Sequence, residues 1–148
     1  MRAIHTEIAI GAPAERVWNV FAAVDKWPEW NPFAKVSGRL AVGERLTVEI
    51  RPPGKRPMTF RPTVVAFEPG RELRWLGHLV VPGIFDGEHG FRVRPEDVGR
   101  CRFEQFETFR GLLAAPIFLM AGGATREGFE AMNRALKARA EGGSTPAR

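Results

Sequence analysis

The sequence predicts an α+β domain, an antiparallel sheet with helices at both ends of the chain, and three observations carry that reading. Residues 3–10, AIHTEIAI, alternate Ile4, Ile8 and Ile10 with polar neighbours, the period of a half-buried strand. Between about residues 34 and 110, short strand-like runs are separated by Gly and Pro turn signals, with no helical period between them that would support a parallel βαβ unit. Ala124, Gly128, Phe129, Met132, Ala135 and Leu136 then recur at helical spacing, while Glu127, Glu130, Asn133, Arg134 and Lys137 lie off that stripe.

Taken in order, the first strand stops at Gly11. Pro13 suits the first turn of a helix and Glu15 complements its N-terminus, and Val17, Trp18, Phe21 and Val24 form one apolar face. Asp25 is placed to cap a second short helix carrying Trp27 and Trp30 three residues apart, and Asn31-Pro32 then turns the backbone extended. Strands are expected near 34–41, 45–51, 57–68, 71–80, 84–94 and 100–110, which with the first makes seven. The segment LAAPIFLMAGGAT, interrupted by Pro116 and Gly122-Gly123, reads as a connection or lid before the last helix. A single domain over 1–141 and a flexible tail over 142–148 follow.

Composition narrows the function. With 148 residues, 44% hydrophobic and 26% charged, the chain can build one sizeable core. Its lone Cys101 forms no internal disulfide and no Cys/His cluster has metal spacing, so no metal or cofactor is expected and a reducing, cytoplasmic setting fits. The longest apolar stretch, 111–124, is shorter than the roughly 20 residues of a membrane span, and the N-terminus lacks a signal-like apolar run. The net charge of +5 is scattered and densest at RPPGKRP, without a recognition motif, which argues against nucleic acid.

Strand alternation sorts the later strands into faces. Phe85, Gly87, His89, Phe91 and Val93 share one face of IFDGEHGFRVR, and Cys101, Phe103, Gln105, Glu107 and Phe109 share one face of RCRFEQFETFR. Leu73, Trp75, Gly77 and Leu79 point the same way, whereas His78 and His5 read as surface. A hairpin through 95–99 sets His89 opposite Gln105 or Glu107. Three readings stand open for this trio: mutual pairing inside a plain core, orienting groups in a largely apolar cavity, or a His89/Glu107 acid–base pair.

The order of these elements, with APAERVWNVFAAVDKWPEWNPF, RELRW, GIFDGEHGF, FEQFETFRGLL and GFEAMNRAL, resembles the START and polyketide cyclase/dehydrase superfamily, SRPBCC. The resemblance implies a helix-grip fold, a curved sheet of about seven strands wrapped around a long C-terminal helix with a cavity between them. It implies a hydrophobic small-molecule partner such as a lipid or polyketide, carried, sensed or chemically altered, or else a chaperone-activator-like interaction module. Trp27, Trp30, Trp75, Phe85, His89, Phe91, Phe103, Gln105, Glu107, Phe109, Phe129 and Met132 become the expected cavity or mouth residues. The chain has no tyrosine, so a mechanism using a phenolic acid is not open to it.

Overall fold

The computed structural model describes residues 2–78 and 81–142. In chain order the elements are β1 (Arg2–Ile10), α1 (Ala14–Ala22), a 3-10 helix (Val24–Glu29), β2 (Ala34–Ser37), β3 (Thr47–Ile50), β4 (Met58–Phe60), β5 (Thr63–Glu68), β6 (Glu72–His78), β7 (Asp86–Asp97), β8 (Arg100–Arg110) and α2 (Ala114–Gly142). Five strands form one antiparallel sheet in the order β1-β8-β7-β6-β5, and β2-β3-β4 form a second, joined to the first where Arg45 bridges Thr63. The helix α2 lies across the inner face of the large sheet. This is the helix-grip arrangement.

Several boundaries differ from the sequence expectation for identifiable reasons. The run 57–68 is two strands, because Pro62 has no N–H to give a ladder and β4 and β5 part on either side of it. The strand begun at Ala34 ends at Ser37, where Gly38 takes φ 126°, and a Cβ there would sit 2.9 Å from a Leu46 methyl. Asp25 does not cap the second helix, which starts one residue earlier at Val24 with no side-chain cap. Leu79 and residues 143–148 of the expected tail lie outside the described residues.

The largest correction concerns the apolar segment before the last helix. It is not a separate connection, since α2 already begins at Ala114 and runs for 29 residues. Pro116 falls in its first turn, where the N–H would have no intrahelical partner, so the ring costs nothing there. Leu112 and Leu113 donate their N–H groups to Gly83 O and Ile84 O at 3.0 and 2.8 Å, which docks the helix start on the loop before β7. Gly111 makes that approach possible, because a Cβ would lie 2.5 Å from Ile84 O.

Alternation places Ile4, Thr6 and Ile10 of β1, with Phe91 and Val93 of β7 and Cys101, Phe103 and Gln105 of β8, in the interior. The buried face of α1 (Val17, Trp18, Phe21) covers one half of that surface. Phe21 packs against Phe91, Trp27 and Phe103 at ring distances of 5.0, 5.6 and 5.6 Å. Each such fully buried aromatic contributes about 1.5–3 kcal/mol of apolar burial, so this half is a closed core. On the outer face Glu104 is also buried, and Arg92 and Arg94 meet it at 3.1 and 3.2 Å, which satisfies the charge.

Candidate ligand-binding cavity

The other half of the sheet is not filled. Gly77 on β6 and Gly87 on β7 stand opposite one another in register on the inward face, so two successive strands present no side chain there. The space so left is a cavity of about 270 Å³ between the sheet, the β3–β4 region and the first turns of α2. Phe33, Ile50, Phe60, Phe85, Phe109, Ile117, Phe118 and Phe129 make its apolar walls, and Lys55, Met58 and His78 stand among the residues of its rim. A larger depression of about 610 Å³ lies on the outer side of α1, around Arg16, Asn19, Lys26, Trp30 and Arg139. It is an open surface hollow without a buried titratable group, whereas the smaller cavity contains His89 and Glu107, so the smaller one is the candidate site.

A chain of hydrogen bonds runs beneath its floor. Asn133 Nδ2 donates to Thr6 Oγ1 at 3.0 Å, and Gln105 Nε2 donates to Asn133 Oδ1 at 2.8 Å and to the Phe129 carbonyl at 3.1 Å. With both amide protons of Gln105 given to carbonyl oxygens, its Oε1 is left as an acceptor, and it lies 3.0 Å from His89 Nε2. The Nε2 atom therefore carries the imidazole proton and Nδ1 keeps a bare lone pair. The ring is held in this pose between Phe91 and Phe129, stacked at 4.1 and 4.6 Å, with Trp75 edge-on at 5.4 Å.

In the β7–β8 register His89 is paired with Glu107, and Nδ1 is 3.9 Å from Glu107 Oε1. That is beyond hydrogen-bond reach. Burial pushes the His89 imidazole down to about 3, opposed only in part by the Gln105 bond, and burial pushes the Glu107 carboxyl up to about 8. At neutral pH the two are an uncharged imidazole facing a protonated carboxyl, not an ion pair. Gly87 also makes room for the acid, since a Cβ there would lie 2.6 Å from Glu107 Oε2.

Of the residues expected to form the site, Phe85, His89, Glu107, Phe109 and Phe129 line the cavity. Trp27, Trp75, Phe91, Phe103 and Met132 do not, because they are fully packed in the closed core, where Trp27 Nε1 donates to the Phe21 carbonyl at 2.7 Å. Gln105 lies behind His89 rather than on the cavity surface, and Trp30 faces the outer hollow. Asn133, assigned from sequence to the polar side of the last helix, is buried and central to the network. Phe33, Lys55, Ile117, Phe118 and Thr125 line the cavity without having been expected. The i, i+3, i+4 spacing of Phe129, Met132 and Asn133 was the available signal for Asn133.

The family model described as polyketide cyclase/dehydrase and lipid transport matches residues 1–141. The chain belongs to this family. Among solved structures this polyketide cyclase/dehydrase family member is similar to a START superfamily protein from Mycobacterium smegmatis, with 18% identity, TM-score 0.73, and coverage of 94% of this chain and 97% of the other. It is similar to the Zhui aromatase/cyclase from Streptomyces sp. R1128 at 16% identity and TM-score 0.70, covering 95% and 94%. The di-domain aromatase/cyclase BexL of the BE-7585A biosynthetic pathway gives 18% identity and TM-score 0.70 over 92% of this chain, which spans 46% of the BexL chain. At such identities these likenesses carry the fold alone. No curated protein sequence matches the chain. Among the described residues no helix is long and apolar enough to cross a membrane.

Proposed function

We propose that the protein encloses a small hydrophobic or amphipathic molecule, lipid-like or polyketide-like, and acts as its cytoplasmic carrier or sensor. One observation carries this reading: a cavity of about 270 Å³ whose walls are apolar and whose floor presents two uncharged polar groups. Small-molecule sites typically span about 300–1,000 Å³, so the occupant is at the small end, a fused ring pair or a short chain. Burying about 200 Å² of its apolar surface corresponds to about 5 kcal/mol before the cost of immobilisation.

A second reading, an enzyme that moves protons through His89 and Glu107, draws support from Glu107. Its carboxyl, raised to about 8, holds a proton near neutral pH, as a general acid must. His89, held near 3, is a poor base at that pH, so half of the proposed pair is weakened and the carrier reading is preferred. The test is native mass spectrometry of the purified protein, as isolated and after exposure to naphthalene, naphthol, octanol and decanol. Retention of one molecule per chain is expected, and failure to retain any of them overturns the proposal.

A further inference from the structure

We propose that the cavity is built for a ligand bearing a neutral hydroxyl group, an alcohol or phenol, whose oxygen bridges His89 Nδ1 and the Glu107 carboxyl. The inference rests on the cavity-binding reading and adds to it the chemistry of the ligand's inner end.

The hydrogen-bond chain decides what the floor can offer. Thr6, Asn133 and Gln105 fix the proton on His89 Nε2, which leaves Nδ1 able only to accept. Glu107, whose carboxyl burial pushes up to about 8, keeps its proton at neutral pH and is able to donate. A single ligand atom that serves both must donate once and accept once. A hydroxyl oxygen does this. A ketone or ether oxygen accepts from Glu107 but leaves Nδ1 without a donor, and an ammonium group donates to Nδ1 but cannot accept. A carboxylate brings a charge to a place that already keeps its own carboxyl uncharged.

The spacing agrees with one bridging atom. Nδ1 and Glu107 Oε1 are 3.9 Å apart, so an oxygen about 2.8 Å from each sits about 2 Å off the line between them, a normal pair of hydrogen bonds. The bare inner face at Gly87 lies beside the same carboxyl, and the Phe91 and Phe129 rings keep the imidazole from turning away. Buried polar groups left unpaired by the wrong ligand are the source of discrimination, as in sites that reject analogues lacking one hydroxyl.

Isothermal titration with naphthol, naphthalene, methoxynaphthalene and naphthoate at about pH 6.5, below the raised carboxyl range, tests the proposal. Naphthol is expected to bind at least about tenfold tighter than naphthalene or methoxynaphthalene, with naphthoate weakest. In Glu107→Leu and in His89→Phe, naphthol should fall to the affinity of naphthalene while naphthalene itself still binds. Equal affinities for naphthol, naphthalene and methoxynaphthalene overturn the hydroxyl assignment and leave cavity binding intact. Absence of binding by all four takes both down. Nitrogen NMR of the unaltered protein gives a check that no folding defect can obscure: the His89 proton is expected on Nε2, and a proton on Nδ1 overturns the assignment.

Discussion

Replacing Glu107 by Gln removes an ionisable group while keeping its size, and the consequence for stability has a definite dependence on pH. The folded-state value of about 8 lies above the ordinary 4.5, so folding favours the protonated acid. Stability from this group is complete below about pH 4.5 and is lost as pH rises towards 8, at about 1.4 kcal/mol per pH unit. Across that window the loss totals about 5 kcal/mol, an upper figure because 16% of the side chain is open to the cavity. Glu107→Gln has no such loss. Its stability relative to the unaltered protein should therefore climb from pH 5 to pH 8, by about 4 kcal/mol at most, in urea unfolding followed by circular dichroism. Any fixed cost of burying the amide displaces the whole difference and leaves its slope. A difference that stays flat over that range would show that Glu107 ionises normally, and the account of the cavity floor would fail with it.

His89 supplies the opposite limb: with its folded value near 3, stability is present above the ordinary 6.5 and is lost as pH falls towards 3, so His89→Phe should flatten the acid side of the same profile. Trp75 packs edge-on to His89, whereas Trp30 faces the outer hollow, so a fluorescence change on naphthol binding should disappear in Trp75→Phe and persist in Trp30→Phe. Gly128→Ala puts a Cβ 2.2 Å from the Phe33 ring at the helix–loop contact and should cost about 1–3 kcal/mol in thermal unfolding. Asn133→Leu breaks two buried hydrogen bonds and leaves Thr6 without its amide donor, which should cost about 2–4 kcal/mol by the same measurement.

The reach of the sequence is clearest in β7 and β8, where period-two alternation alone brings His89, Gln105 and Glu107 to one face and a hairpin leaves only the register to choose. The register sets Glu107 opposite His89 and Gln105 opposite Phe91, one step further along the strand. Gln105 nonetheless reaches His89 Nε2, because neighbouring side chains on one face meet diagonally as well as directly. The division between filled core and empty cavity was not legible. Trp27, Phe91 and Phe103 are apolar and inward whether another ring or open space lies beside them, and only the placement of α1 decides which. Similarly, Pro116 and Gly122-Gly123 read as breaks because each disfavours a helix interior. Pro116 falls instead in the first turn, where its missing N–H is not needed, and the helix persists through Gly122-Gly123 by leaning on tertiary contacts, such as Phe118 against Phe109 at 5.7 Å.

The facing pair Gly77 and Gly87 means that this interior is left empty by omission, at two paired positions of neighbouring strands that carry no side chain. Capacity is thus set by which side chains these strands carry, and topology by their backbone pairing. Methyl by methyl, substitutions at Gly77 act as a volume control on what can enter: an added Cβ there meets Phe60 at 3.3 Å, a contact that a small ring movement relieves. At Gly87 the same methyl would strike the Glu107 carboxyl, so one glycine of the pair adjusts size and the other guards the polar end.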